Sequence, residues 1–208
     1  MESFRFYLIS DRHQSRREPM ELLPELGRAG LRALQVREKD MAPGELGDYC
    51  QSVRAALAMG GGDAKIFLND RADIALGLGL AGVHLRESSL PLAQQAPILR
   101  EALLWGVSTH DLAGVQTAQA AGADFVTFGP VFETASKAAL GDPVGLENLA
   151  RVAGSVRIPV LALGGITPER CGPCLEAGAS GVAAIGAVWC APDPVAALME
   201  FKAALGGL

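Results

Sequence analysis

The stretch AGADFVTFG, residues 121–129, joins a glycine to a short and mainly apolar run, and the chain repeats this pattern. Glycine readily adopts the left-handed conformation that ends a helix before the next element begins. Similar stretches recur as AGLRALQVR (29–37), LAGVHL (80–85) and AGASGVAAIG (177–186). A helix that stops at glycine and is followed by an apolar strand is therefore the repeating unit of this chain.

Working outward from these four segments, eight apolar runs can be counted. Each is nearly continuous in apolar residues rather than alternating, which is typical of parallel strands buried on both faces. Amphipathic segments lie between them and are predicted to be helices, for example residues 45–59, 112–121 and 194–205. The predicted strands are residues 4–10, 31–37, 65–69, 82–85, 103–108, 124–129, 159–164 and 181–186.

Eight alternating strands and helices predict an α/β fold, a single (β/α)8 TIM barrel that forms one domain over residues 1–208. A doubly wound open sheet is the alternative, but no dinucleotide-binding fingerprint follows the first strand. Functional side chains of a barrel collect where its strands end. Here the predicted strand ends carry polar and charged residues, whereas the strand starts carry glycine and little else. This asymmetry indicates an enzyme.

The composition argues against several other classes of protein. Hydrophobic residues make up 50% of the 208 residues, which is enough apolar material for a full core and argues against disorder. The net charge of −5 gives no sign of a nucleic-acid surface. No apolar run is long enough to span a membrane, and residues 1–13 lack the basic-then-apolar order of a signal peptide. We therefore expect a soluble, cytoplasmic protein.

Two loops at predicted strand ends indicate a phosphate site. Gly164-Gly165 precedes a helix start that is marked by Thr167 and Pro168, and Ile185-Gly186 follows the eighth strand. Backbone N–H groups of these two loops commonly bind phosphate in barrels, and glycine lets the backbone approach the phosphate oxygens. The alternative is that these residues only form tight turns.

The loop after the sixth strand offers further phosphate ligands. It is long, rich in small residues, and carries Thr134, Ser136 and Lys137. Two hydroxyls and an ammonium at this spacing are good donors to phosphate, and long loops at this face of a barrel are often lids. A solvated surface loop is the alternative.

A second polar group is predicted across the barrel mouth. The segment LQVREKD, residues 34–40, passes from an apolar strand into charge, and Asn69 ends the next strand. Arg37 and Lys39 together with Asn69 suit a pyrophosphate. Asp70 is then the natural carboxylate for a Mg²⁺ that shares the phosphate oxygens, although an ion pair with Arg71 or with a neighbouring strand is the alternative.

With these groups assembled, the chain resembles the thiamine phosphate synthase/TenI family over essentially its whole length. The motifs that carry the resemblance occur in the order and at the spacing of that family. They are YLISDR (7–12), LQVREKD (34–40), LNDRADIAL (68–76), GVHL (82–85), GVSTH (106–110), GPVFETASK (129–137) and LALGGITPE (161–169).

The resemblance implies that a hydroxymethylpyrimidine pyrophosphate is condensed with a thiazole phosphate, or its carboxylate, to thiamine phosphate with release of pyrophosphate. It implies Mg²⁺ at Asp70 and a homodimer. It also implies catalytic roles for Arg37, Lys39 and Lys137. The implied substrate-binding residues are Gln35, Asn69 and Ser108 for the pyrimidine pyrophosphate, and Thr134, Ser136, Gly164, Gly165, Ile185 and Gly186 for the thiazole phosphate.

The chain departs from the synthase pattern after the fourth strand. Synthases usually continue that strand as His-(Val/Leu)-Gly-Gln-x-Asp, and the final Asp is a second Mg²⁺ ligand. Here the stretch is HLRESS, so that Ser89 replaces the Asp while Arg86 and Glu87 replace Gly-Gln. Serine is a weak, neutral ligand, so metal affinity should fall unless Glu87 compensates.

Two other functions stay open. FETASK (132–137) is the form familiar from the TenI branch, which includes a metal-independent thiazole tautomerase. The acid/base histidine of that branch follows Phe-Gly after the sixth strand, where this chain has Pro130, so that Glu133 or His110 would have to substitute. A tautomerase would not need the pyrophosphate-binding residues. The third possibility is a non-catalytic regulator that binds a phosphorylated ligand.

Several reactive residues are predicted to be structural. Cys171 and Cys174 form a CGPC pair, but it lies inside the seventh predicted helix rather than directly after a strand, so a redox role is disfavoured. The four cysteines do not suggest a disulfide framework in a chain of this size. His84 is predicted to be a packed, hydrogen-bonded histidine, and residues 12–17 a solvated basic loop.

Overall fold

Eight parallel strands form a closed barrel in the computed structural model, which describes residues 4–134 and 142–207. Neighbouring strands pair in sequence order, and β8 closes the barrel on β1 with Tyr7 opposite Ala183. The predicted (β/α)8 fold is confirmed, and the open-sheet alternative is excluded. The strands are β1 Phe6–Ile9, β2 Ala33–Val36, β3 Lys65–Asn69, β4 Gly82–Leu85, β5 Leu104–Thr109, β6 Phe125–Phe128, β7 Val160–Leu163 and β8 Gly181–Ala184.

Helices follow the strands along the chain. Within the described residues they are α1 Pro19–Arg28, α2 Pro43–Met59, α3 Ala72–Gly77, α4 Pro97–Ala102, α5 Leu112–Ala120, α6 Gly145–Ala153, α7 Pro168–Glu176, α8 Gly186–Trp189 and α9 Pro194–Ala204, with a short 3₁₀ turn at Leu92–Gln94. Proline occupies the first position of five of them, where its fixed φ and missing N–H suit a helix start. None of the helices in the described ranges is long and apolar enough to cross a membrane.

The glycine repeat has a physical basis. Gly30, Gly122 and Gly178 follow the ends of α1, α5 and α7 after one intervening residue and adopt the left-handed conformation, with φ between 89° and 93°. The copy LAGVHL (80–85) differs from the prediction, because the left-handed glycine after α3 is Gly79, which precedes this stretch. Gly82 instead begins β4, where an added Cβ would lie 2.3 Å from the carbonyl oxygen of Leu104. Glycine at that strand start is therefore required by close packing of two strands.

The strand boundaries differ slightly from the predicted ones. β3 and β4 match the prediction, but β1 and β2 are each three residues shorter than predicted. At the carboxyl end of β2 a side chain replaces the backbone partner, because the Arg37 backbone N–H donates to Ser10 Oγ at 2.9 Å. α2 starts at Pro43, two residues before the predicted helix, because proline is a favourable first residue.

The barrel interior is filled by aromatic side chains. Tyr7 packs edge-to-face on Phe67 and Phe125, with ring centroids 5.5 Å and 5.4 Å apart, and Phe4 closes over the same group. Trp105 and Trp189 are buried in the larger cluster between barrel and helices. Because the interior is solid, a ligand can bind only above it, at the strand ends.

The CGPC cysteines are buried in α7. Cys171 and Cys174 are both inaccessible to solvent, and burial raises the pKa of these thiols to about 12 and about 11. Thiolate is the reactive form, so both should resist modification. We expect a disulfide-exchange reagent at pH 8 to titrate the same number of thiols in the native wild type and in the Cys171→Ala/Cys174→Ala variant. A native titre that falls by two in the variant would show that these thiols are accessible.

Candidate active site

Of the charged residues that follow β2, the two acids, Glu38 and Asp40, are bound by Arg12. Glu38 is only 6% exposed and accepts hydrogen bonds from Ser10 Oγ at 2.5 Å and Arg12 Nη1 at 3.1 Å. Asp40 also binds Arg12, and the guanidinium holds the pKa of that carboxyl well below its usual range. Arg12 is thus held by two carboxylates, which corrects the prediction for this one residue of the basic stretch 12–17; His13, Arg16 and Arg17 are exposed. The two acids fix the backbone on either side of Lys39.

A cavity of about 440 Å³ lies at the carboxyl ends of β1 to β5. The structure brings four of the residues predicted for the pyrimidine pyrophosphate together in its wall, namely Gln35, Arg37, Asn69 and Ser108. Ile9, Arg86, Glu87, Ser88, His110, Leu163 and Ile185 complete this wall, which we call the first cavity.

Polar contacts order the base of the first cavity. Gln35 Nε2 donates to Asn69 Oδ1 at 3.3 Å, and Ser108 Oγ lies 3.0 Å from His84 Nε2. His84 is fully buried, and burial lowers its pKa to about 3. Its other ring nitrogen lies 3.4 Å from the Tyr7 hydroxyl. The predicted packed, hydrogen-bonded state of His84 is confirmed, and the neutral imidazole positions the hydroxyl of Ser108.

The buried imidazole should make stability depend on pH. Below pH 6.5 the unfolded chain takes up a proton at His84 that the folded chain, with a pKa of about 3, does not. The free energy of unfolding should therefore fall by about 2 kcal/mol between pH 7 and pH 5 from this group alone. Urea unfolding at both pH values would measure it. The His84→Gln variant should lose that share of the pH dependence; equal slopes in both proteins would contradict the assignment.

Three cations lie close together on one side of the mouth. Arg37 is half-buried, and burial lowers its pKa. Lys39 is exposed and stands outside the wall of the first cavity, and the charge of Arg37, followed by burial and the charge of Arg86, lowers the pKa of its ammonium. Like charges that repel one another in this way are relieved by a bound anion.

Asp70 meets a neighbouring strand end and not Arg71. Asn69 of β3 is opposite His84 of β4, so the next residue, Asp70, reaches the residues that follow β4. Its backbone is left-handed, with φ 64°, which turns the carboxylate toward Arg86. Arg86 Nε donates to Asp70 Oδ2 at 2.5 Å. Arg71 pairs with Asp73 instead, at 2.6 Å.

A second cavity of about 400 Å³ adjoins the first. Five predicted substrate-binding residues line it, and it shares Leu163 and Ile185 with the first cavity. Ligands in the two cavities can therefore meet. Ser136 and Lys137, also predicted for the site, lie outside the described residues. The five residues are Thr134, Gly164, Gly165, Ile185 and Gly186.

The turn after β7 is shaped for close approach of a ligand. Gly164 and Gly165 have φ of 98° and 62°, and Thr167 and Pro168 start α7 as predicted. An added Cβ at Gly165 would lie 2.4 Å from the carbonyl oxygen of Glu133. Only glycine fits this turn, which leaves its backbone N–H groups next to the second cavity.

Sequence reasoning missed Arg170 in the second cavity. Its Nη1 donates to the carbonyl oxygen of Gly165 at 2.5 Å, and its guanidinium carbon stands 4.5 Å from the centre of the Phe132 ring. Arg170 thereby braces the glycine turn. Nothing in the sequence indicates this contact, because an arginine in the first turn of α7 reaches the Gly165 carbonyl oxygen only when its side chain folds back over the preceding turn.

The family assignment can now be made. A family model described as thiamine monophosphate synthase matches residues 6–188. The chain belongs to the thiamine monophosphate synthase family. A relative from Geobacter sulfurreducens is 44% identical over 92% of this chain and 89% of its own. The thiamine-phosphate synthase of Anaeromyxobacter dehalogenans is 42% identical over 84% of this chain and 78% of its own.

A solved structure agrees with this assignment. The thiamine phosphate pyrophosphorylase from Pyrococcus furiosus superposes with a TM-score of 0.84 at 31% identity, covering 97% of this chain and 95% of that one. Both the fold and the sequence motifs of this chain therefore agree with the thiamine monophosphate synthase family.

Members of the thiamine monophosphate synthase family generally depend on Mg²⁺, and this chain's donors can be tested against that ion. The Asp70 carboxylate accepts hydrogen bonds from Arg86 Nε, from Ser89 Oγ and, at 3.0 Å, from Asn69 Nδ2. Glu87 is 72% exposed and lies 3.8 Å from His110, so it does not replace the missing carboxylate. In the described ranges no three acidic, His or Cys residues cluster as metal ligands. This donor set does not fit Mg²⁺.

The residues considered for proton transfer do not form one site. His110 lines the first cavity and its Nδ1 is hydrogen-bonded to the carbonyl oxygen of Gly129, whereas Glu133 lines the second cavity. Pro130, which lies between these two residues in the sequence, is buried. The family model and the relatives named thiamine-phosphate synthase do not favour a tautomerase.

Proposed function

We propose that this chain is a thiamine phosphate synthase that joins a hydroxymethylpyrimidine pyrophosphate to a thiazole phosphate or its carboxylate. The observation that carries the proposal is the pair of adjoining cavities at the strand ends. One has a cationic rim that suits a pyrophosphate, and the other has a glycine turn that suits a phosphate. The family and its relatives support the same reaction.

The reaction asks for charge stabilisation rather than proton transfer. The bond between the pyrimidine methylene carbon and the pyrophosphate oxygen breaks, and its electron pair leaves with pyrophosphate. The thiazole nitrogen then donates its lone pair to the methylene carbon and becomes positively charged. Where the thiazole carries the carboxylate, that group leaves as CO2, and the electron pair left on the ring carbon takes up a proton from solvent. Negative charge grows on the leaving group, so a fixed guanidinium such as that of Arg37 lowers the barrier.

The remaining residues take binding roles in this proposal. Gln35, Asn69 and Ser108 hold the pyrimidine pyrophosphate, and Ser108 is oriented by neutral His84. Thr134, Gly164-Gly165 and Ile185-Gly186 hold the thiazole phosphate. Lys39 adds charge from the exposed rim. Ser136 is proposed to bind the thiazole phosphate and Lys137 to act on the pyrophosphate, as the family resemblance implies.

One incubation tests the proposed function. Purified protein is mixed with the pyrimidine pyrophosphate, the thiazole phosphate and its carboxylate in parallel, with Mg²⁺ supplied because family members generally need it. Thiamine phosphate is followed by the fluorescence of its oxidised form, and we expect product over many turnovers. A protein that binds both substrates and forms no product would overturn the proposal. Proton exchange on the thiazole carboxylate alone would then identify a tautomerase, and its absence a regulator.

The cellular setting is part of the proposal. We place the chain in the cytoplasm, where phosphorylated precursors are made, with small phosphorylated substrates as its partners and neither nucleic acid nor membrane. Family resemblance also leads us to propose a homodimer. Light scattering on the purified protein would give twice the chain mass of 21.6 kDa if that is right.

A further inference from the structure

We propose that Arg86 binds the leaving pyrophosphate directly and replaces the metal ion that the family generally uses. This inference rests on the proposed synthase function. It concerns a position at which this chain departs from the family pattern, because arginine stands at residue 86 and serine at residue 89. Arg86 follows β4 directly and lies in the wall of the first cavity beside Arg37 and Asn69.

Asp70 holds the Arg86 guanidinium by one edge. The bond runs from Nε to Oδ2, and the Arg86 backbone N–H donates to Ser89 Oγ at 2.8 Å, so that Ser89 joins residue 86 to the same carboxylate. Within residues 4–134 and 142–207, no hydrogen bond from the two terminal nitrogens of Arg86 is found. These nitrogens can therefore donate to two oxygens of one phosphate group.

The local charge favours a polyanion. Three cations, Arg37, Lys39 and Arg86, are placed to act on one anion. Asp70 offsets the charge of Arg86, and Asp11 offsets part of the charge of Arg37 and Lys39. The other two acids of this region, Glu38 and Asp40, are bound by Arg12. Arg86 is close enough to both cations to oppose their protonation. A pyrophosphate between them would remove this repulsion and gain three charge-assisted contacts.

A divalent cation would have to displace what already holds Asp70. It would compete with Arg86, Ser89 and Asn69 for one carboxylate, and it would find serine where a second carboxylate is needed. Arginine supplies positive charge at that place with fixed geometry and without a second acid. The serine at residue 89 and the arginine at residue 86 thus form one arrangement around Asp70.

The first test uses binding of inorganic pyrophosphate, measured by calorimetry in excess EDTA. We expect wild type to bind it, and the Arg86→Ala variant to bind about 10- to 100-fold more weakly because a charge-assisted contact is lost. Arg71→Ala is the matched control, because that arginine lies at the neighbouring strand end and pairs with Asp73. Metal-dependent binding in wild type, or equal binding by Arg86→Ala, would overturn the proposal. This readout needs no turnover, so it is separate from failure of the synthase assay.

The second test rebuilds the family's pattern. The double variant Arg86→Gly/Ser89→Asp frees Asp70 and adds a second carboxylate, so its pyrophosphate binding and its turnover should become dependent on Mg²⁺. We expect EDTA to lower its turnover at least about tenfold, while wild type keeps most of its own. A wild type that is as sensitive to EDTA as the double variant would show that Arg86 does not replace the ion.

Discussion

Changing Arg37 to alanine is expected to lower kcat about 100- to 1,000-fold, the effect typical of removing one preorganised donor from a transition state. The Arg37 side chain is half-buried in the wall of the first cavity, and its backbone N–H is held by Ser10 Oγ. Its guanidinium is therefore in place before charge develops on the leaving group. Because that charge grows during bond breaking, kcat should fall more than KM for the pyrimidine pyrophosphate rises.

Three further variants sharpen this experiment. Arg37→Lys keeps the charge but loses the planar fork, so it should fall between wild type and alanine. Lys39→Ala should lose less than Arg37→Ala, because Lys39 is exposed and outside the cavity wall. Arg71→Ala should stay within about twofold of wild type, as expected for an exposed ion pair away from the cavity. A kcat that is unchanged in Arg37→Ala would show that this arginine binds the ground state only.

The barrel and most of the site could be predicted because they depend on local patterns. Apolar runs and stop glycines specify parallel strands, and the carboxyl ends of parallel strands meet in one place. For that reason Arg37 and Asn69, far apart in sequence, could be expected together, and the family resemblance implied Gln35 and Ser108 beside them. The structure brings all four into one wall. Their individual roles stay predictions until variants are assayed.

What the sequence did not reveal depends on side chains that meet across strand ends. Asp70 could be read as a metal ligand because nothing in the stretch LNDR indicates that β4 brings Arg86 to it. The register of Asn69 opposite His84 and the left-handed backbone at Asp70 decide that contact. The basic stretch likewise predicts a solvated Arg12, although this residue binds both acids that follow β2.

Changing Gly165 to alanine should raise KM for the thiazole phosphate about 100-fold or more, because charge-assisted backbone contacts to the phosphate are lost. The residue has φ 62°, and an added Cβ would lie 2.4 Å from the carbonyl oxygen of Glu133 and 2.9 Å from Phe132 Cβ. The backbone of the turn must then move away from the loop after β6. Arg170, which donates to the Gly165 carbonyl, cannot hold the turn in its place.

Gly172→Ala is the matched control for this change, since it lies in α7 and no atom stands within 4 Å of the added Cβ. It should leave both KM values unchanged and, if anything, stabilise the helix by up to about 1 kcal/mol. Because Gly165→Ala also strains the fold, pyrophosphate binding in the first cavity serves as the check that the barrel is intact. A folded Gly165→Ala protein that binds pyrophosphate and keeps the wild-type KM for the thiazole phosphate would remove the glycine turn from the phosphate site. A Gly165→Ala protein that binds pyrophosphate normally but binds the thiazole phosphate weakly would instead show that the two cavities bind their ligands independently. A reaction between two separately held substrates requires such independence.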